Sequence, residues 1–186
     1  MKQSIFTDEQ LGIRFKNGDA EAVTLIYERY KSGLFLFCLR LLSDHAAAED
    51  VVQETFVKMI AERTHLKNPG ALKSWMFIIA RNEAFTQLHR KKGIRELNEN
   101  DENIFQAEPP LADVETRERA VILEKMLDQL LPQYKEVLML REYESMTYDE
   151  IAAVTGATVS AVKSRLFKAR KALMTRLEHL QKASVL

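Results

Sequence analysis

A single cysteine stands in 186 residues, and that scarcity removes two classes of protein. Cys38 has no partner for an internal disulfide, and no second Cys or paired His sits at zinc spacing, so neither a disulfide scaffold nor a zinc module is expected. Cys38 reads as a small buried hydrophobe. His45, Glu49 and Glu54 find no further His or Cys to complete a metal site, so no metal, no cofactor and no catalytic residue is expected. Long apolar runs are missing as well. None approaches the roughly 18 to 20 residues that span a bilayer, and the opening "MKQSIFTDEQ" lacks the apolar core of a signal peptide. The expectation is a cytoplasmic protein without membrane insertion. An excess of one charge is also missing: 27 basic and 27 acidic residues leave a formal net charge of zero, which gives the whole chain no reason to approach a polyanion.

The residues that are present make an ordinary globular composition, 46% apolar and 29% charged, and their periodicity is helical. In "AVTLIYERYKSGLFLFCLRLL", Val23, Ile26, Tyr27, Tyr30, Leu34, Phe37, Cys38 and Leu41 recur at steps of three and four. Gly18 and Asp19 would start that helix. A second begins at a Ser43 or Asp44 cap and puts Val52, Phe56, Met59 and Ile60 on one face, with Asp50, Gln53, Glu54 and Lys58 turned away. After the turn at Asn68-Pro69-Gly70, a third runs through Trp75, Ile78, Ile79 and Phe85, where Trp75 reads as core rather than as a stacking platform. No pair of strands is evident.

Residues 96–115 break the pattern. "ELNENDENIFQAEPPLADVE" holds seven carboxylates, no Lys or Arg, and the Pro109-Pro110 pair, the composition of a flexible linker. The division it implies is 1–95, the acidic linker 96–115, and 116–186. Beyond it "RERAVILEKMLDQL" forms a helix that Leu131-Pro132 ends, "QYKEVLMLREYES" forms another, and Thr147 caps the next at Tyr148. The fold class is all-α: two small helical domains, the second a four-helix domain with a helix-turn-helix. The linker also accounts for the zero net charge, because its acids offset bases concentrated at 90–95 and 163–176. With a Debye length of about 10 Å, a phosphate responds to the local patch.

In "YDEIAAVTGATVSAVKSRLFKARKAL" a short helix, a turn at Gly156 and a longer helix follow one another. Val159, Val162, Leu166, Ala169 and Leu173 form the buried face with Ile151, Ala152 and Val154. The opposite face carries Ser160, Lys163, Ser164, Phe167, Lys168 and Lys171, and the same helix also carries Arg165 and Arg170. Short polar and basic groups near the helix start reach base edges, and later bases meet phosphates. Six Lys or Arg and no acid between 163 and 176 favour DNA over a merely solvated basic face.

The same stretch resembles the promoter-reading carboxyl-terminal domain of extracytoplasmic-function (ECF) sigma factors of bacterial RNA polymerase. "YERYKSGLFLFCLRLLSDHAAAEDVVQETF" resembles that family's polymerase-binding helices and "SWMFIIARNEAFTQLHRKK" its promoter-melting segment. By position, the resemblance implies that Asp50, Gln53 and Glu54, with Phe56 behind them, dock on the clamp helices of the polymerase's largest subunit. It implies that the loop from His65 to Ser74, with Lys67, Asn68 and Lys73, receives a base flipped from the −10 element. Arg81 and Asn82 then contact the adjoining strand and Arg90, Lys91 and Lys92 grip its phosphates. The −35 element falls to Ser160, Lys163, Ser164, Arg165, Phe167, Lys168 and Lys171. Two departures stand out: Thr86 where the family usually has Asp, and Ser160-Ala161 where it usually has Gly-Thr.

The expectation is therefore a non-enzymatic sigma factor whose partners are core RNA polymerase, promoter DNA and, as is usual for the family, an anti-sigma factor. The alternative is a stand-alone helix-turn-helix regulator controlled by an amino-terminal ligand- or protein-binding domain. A third reading, a helical interaction protein that never touches DNA, predicts no salt-dependent DNA affinity.

Overall fold

A computed structural model describes residues 6–95, 122–123 and 125–183, and among these residues all regular structure is helical. The acidic linker expected over 96–115 lies outside them. The chain forms two compact units, and each is described by itself.

The amino-terminal unit contains α1 (Asp8–Lys16), α2 (Ala20–Leu42), α3 (His45–Ala61) and α4 (Leu72–Arg95), with single 3-10 turns at Arg63–His65 and Pro69–Ala71. Sequence periodicity did not point to α1. Its signal is a capping box, in which Thr7 and Gln10 exchange side-chain and backbone hydrogen bonds, followed by the buried pair Leu11 and Phe15. Gly18, at φ 85°, turns the chain out of α1, a left-handed conformation that favours glycine. Asp19 then caps α2, its Oδ1 accepting from the N–H groups of Glu21 at 2.9 Å and Ala22 at 3.4 Å. Arg14 reaches back to Asp19 at 2.7 Å, and that hydrogen bond holds the Asp19 carboxyl below its ordinary value. Between α2 and α3, Ser43 adopts a left-handed cap, and Asp44 makes the N-cap through the Ala47 N–H at 3.0 Å.

The buried stripe of α2 is Ala22, Ile26, Tyr30, Leu34, Phe37, Cys38 and Leu41. Tyr27, expected among them, is instead largely exposed, its ring 4.9 Å from that of Phe56. Ile60 likewise leaves the expected α3 face and is 43% exposed, while Val51, Thr55 and Met59 are buried. On α4 the buried residues are Leu72, Ser74, Met76, Phe77, Ile79, Ala80 and Ala84, a set that shares only Ile79 with the expected one. The cause is that α4 packs against α1, α2 and α3 together. Small alanines let helices approach closely, and Trp75, Ile78 and Phe85 fall at the half-buried margins. Each large apolar side chain so buried contributes about 1.5 to 3 kcal/mol. Cys38 is fully enclosed, and burial pushes its thiol up to about 12.

The carboxyl-terminal unit contains helical residues at 122–123 and 125–128, then α5 (Pro132–Glu142), α6 (Tyr148–Thr155) and α7 (Val159–Ala183). Pro132 occupies the first turn of α5, where its missing N–H has no partner to lose. Val137, Met139, Leu140, Met146, Ile151, Val162, Leu166 and Ala169 form the core. Two charged side chains are enclosed with it: Lys135, 3.1 Å from Asp128, and the fully buried Glu136, 3.7 Å from Arg165.

Candidate nucleic-acid interface

The helix pair α6 and α7 owes its angle to local chemistry at three points. Thr147 and Glu150 form a capping box: the Thr147 N–H donates to Glu150 Oε2 at 2.7 Å, and the Glu150 N–H donates to Thr147 Oγ1 at 3.2 Å. Gly156, at φ 63°, then ends α6, and the Ala157 N–H returns to the Ala152 carbonyl at 3.1 Å, closing a Schellman turn. Thr158 caps α7 by accepting from the Ala161 N–H at 3.2 Å. Ser160 and Ala161 therefore lie inside the first turn of α7, and the residue at 158, which the sequence reading passed over, starts the helix.

On α7 the faces separate as the spacing predicts. Val162, Leu166 and Ala169 are buried, with Val159 and Leu173 half-buried at the edges. Ser160, Lys163, Ser164, Phe167, Lys168 and Lys171 are all exposed, and Phe167 is 68% exposed among bases. An aromatic ring left in water beside cations has no packing reason to be there. Lys163 lies 5.6 Å from the Tyr148 ring centroid, and Arg141 lies 5.0 Å from the same centroid. Two basic residues stand apart from this face. Arg165 is half-buried and inclined toward Glu136, so it borders the exposed face rather than sharing it. Arg170 is engaged by Glu142 at 2.6 Å, which also raises its pKa above the ordinary value.

In the amino-terminal unit, Asp50, Gln53 and Glu54 point outward on α3 and Phe56 is buried behind them. Glu54 lies 3.7 Å from Lys58, which also bonds Glu83; the Glu83 hydrogen bond is the main cause that raises the Lys58 pKa. The loop after α3 has a defined shape. Leu66 is buried and anchors it, while His65, Lys67 and Asn68 are exposed. Asn68 does more than display an amide: its Oδ1 accepts from the Gly70 N–H at 3.1 Å and its carbonyl accepts from the Ala71 N–H at 3.0 Å. Lys73 is half-buried.

On α4, Arg81 lies over the Phe85 ring at 4.5 Å, while Asn82 and Arg90 are exposed. Lys91 and Lys92 lie on the last turns of α4, with side chains outside the described residues. Thr86 satisfies its hydroxyl locally by donating to the Asn82 carbonyl at 2.8 Å.

Comparison with known proteins identifies the family of both regions. The Sigma-70 region 2 model matches residues 26–94 and the Sigma-70, region 4 model matches residues 120–173. The chain is 30% identical over 183 residues to the RNA polymerase sigma-H factor of Pseudomonas aeruginosa, covering 93% of this chain and 95% of that protein. It is also 30% identical over 185 residues to the ECF RNA polymerase sigma-E factor of Haemophilus influenzae, covering 94% and 97%. Among solved structures, the sigma factor RpoE of Bartonella quintana, in complex with the anti-sigma factor NepR, is similar with a TM-score of 0.72 at 25% identity. That match spans 83% of this chain and 96% of that one. Two matched regions in order, and relatives aligned along nearly the whole length, place the chain in the ECF family of sigma factors, the proteins that give RNA polymerase its promoter at the start of transcription.

Proposed function

We propose that this sigma factor divides promoter recognition between its two helical units, with residues 96–115 joining 1–95 to 116–186. The carboxyl-terminal unit lays α7 in the major groove of the −35 element. Lys163 and Ser164, near the helix start, meet base edges, Phe167 meets a thymine methyl or sugar, and Lys168 and Lys171 meet bases or phosphates. The amino-terminal unit binds an unstacked base of the −10 element at the segment His65–Ser74, whose last three residues, expected as loop, form the start of α4. Lys67, Asn68, Lys73, Arg81, Asn82 and Arg90 serve that strand, with Lys91 and Lys92 as further phosphate ligands, and this capture promotes melting. Asp50, Gln53 and Glu54 dock on the clamp helices of core polymerase.

The observation that carries the reading is the α7 face, where six residues suited to DNA stand exposed together opposite a buried apolar stripe. An anti-sigma factor is the further partner, as the solved complex of Bartonella quintana RpoE with NepR suggests by analogy. Such a protein performs no chemistry of its own and works where the polymerase is, in the bacterial cytoplasm. A stand-alone regulator is not favoured, since the match to Sigma-70 region 2 occupies the unit that a ligand-binding domain would need.

The deciding experiment is transcription in vitro from a library of genomic fragments. Core polymerase with this protein should yield transcripts from a subset sharing a bipartite promoter, and either component alone should yield none. Sequence-selective DNA binding by the protein without polymerase, with no gain in transcription on adding core enzyme, would support the regulator instead.

A further inference from the structure

The helix α1 belongs to none of the surfaces described above, yet it touches the 63–71 loop at its middle, and the turn that follows it approaches the same loop. Gly12 packs directly on Pro69: a Cβ placed at Gly12 would lie 2.3 Å from the Pro69 carbonyl oxygen and 2.9 Å from its Cα. Those atoms are backbone, so no side-chain rotation can relieve the contact. Two residues past its carboxyl end, the position of a Gly18 Cβ is 3.9 Å from the Arg63 guanidinium carbon. The Phe15 ring, buried, lies 6.2 Å from Trp75, which stands near the start of α4 just beyond the loop.

On its far side α1 is tied to α2. Arg29 bonds Asp8 at 2.5 Å and donates to the Phe6 carbonyl at 2.6 Å, while Arg14 bonds Asp19 and Glu21. The helix is thus clamped between α2 and the loop. Pro69 is next to Asn68, the residue whose amide shapes the turn.

The geometry points to α1 as a strut that sets the shape of the 63–71 loop, with Gly12 as a positioning residue for capture of the −10 base. Gly12 itself does not reach the DNA surface, because the loop backbone covers it. Its contribution is closeness: only a residue without a Cβ lets α1 approach Pro69 and hold the backbone where Lys67 and Asn68 face outward. This inference rests on the proposed role of the loop. It adds that the loop's shape is dictated by a helix that contacts neither polymerase nor DNA in that proposal.

The test uses full-length protein assembled with core polymerase, comparing wild type, Gly12→Ala and Arg29→Ala. Binding is measured to a single-stranded −10 oligonucleotide panel varied at the unstacked base, and separately to a double-stranded fragment carrying the −35 element. A displaced loop should weaken the cognate −10 oligonucleotide about tenfold in Gly12→Ala, the scale of one lost base contact. It should also flatten discrimination across the panel, with core and −35 affinities unchanged. Arg29→Ala, which loosens the strut at its other end, should shift the same readout in the same direction by less.

A general loss of stability would not produce that split between the two DNA elements. If Gly12→Ala does not fold, Arg29→Ala decides by the same criterion. Unchanged −10 affinity and base preference in a folded variant overturns the strut. Absence of base preference in the wild type is a different result: it removes the −10 role of the loop, and the strut's role in it as well.

Discussion

The α7 face and the 63–71 loop differ in what holds their shape. On α7 the groups proposed to meet DNA stand on a continuous helix whose own buried stripe, Val162, Leu166 and Ala169, fixes the orientation of the exposed side. The loop has two single turns, one buried anchor at Leu66, one side-chain bridge at Asn68, and a neighbouring helix pressed against Pro69. A duplex groove accepts a rigid rod, so local periodicity suffices to build its reader. An unstacked base requires a concave site, and a short loop cannot hold such a site without support from elsewhere.

If that contrast holds, damage to the helix core should be the largest effect. Leu166→Ala should destabilise the carboxyl-terminal unit by about 2 to 5 kcal/mol through a core cavity. Urea unfolding should show this loss without any change in which −35 bases are preferred. Lys163→Ala comes next, at about 1 to 3 kcal/mol for its cognate base pair, with flattened preference at that pair in a panel of single-base −35 variants. Equal weakening on every member of the panel would mean that Lys163 meets phosphate and that the face is rotated from the one assigned.

Polymerase docking sharpens the comparison from a third surface. Reversing both Asp50 and Glu54 to Lys should raise the dissociation constant for core enzyme by about ten- to a hundredfold, because charge across an interface governs encounter and register. The fold should be untouched, since both side chains face solvent. Co-purification with core polymerase at the wild-type level would reject the surface.

Acid should act on the amino-terminal unit through Asp19. Its hydrogen bond from Arg14 lowers its pKa in the folded state, so the unfolded chain takes up the proton first and the stabilisation is present above the ordinary value of 3.8. It is lost as pH falls through the lowered folded value. Denaturation midpoints followed downward from about pH 5 should therefore drop less steeply in Asp19→Asn than in wild type.

The smallest effect separates two neighbouring bases. The sequence alone treats Arg170 and Lys171 as equal phosphate contacts, but Glu142 already holds Arg170. Lys171→Ala should reduce the slope of log affinity against log salt by about 0.9, and Arg170→Ala should reduce it less. Equal changes would show that the Glu142 pair opens on binding.

How much of this was legible depended on whether the cause was local. The α7 faces, the Thr147 cap and the Gly156 turn could be read from spacing and turn chemistry, because helix and turn are determined within a few residues. The α4 face could not, since Met76, Phe77, Ala80 and Ala84 are selected by three neighbouring helices. Arg165 and Arg170 looked like free cations until Glu136 and Glu142, 29 and 28 residues earlier (165 − 136 and 170 − 142), came beside them. Gly12 carried no signal at all, because nothing in a helical pattern announces that a backbone 57 residues later (69 − 12) will press on it. Ile60 and Tyr27 show the reverse error, apolar or aromatic residues at core spacing that remain exposed.

The enclosure of Cys38 bears on how such a protein can be told that conditions have changed. With burial pushing its pKa up to about 12, the Cys38 thiol stays protonated at neutral pH, and the thiolate is the form that peroxides and disulfides attack. Full burial in α2 adds a physical barrier to the same reagents. Oxidants therefore find no ready target at Cys38 while the chain is folded.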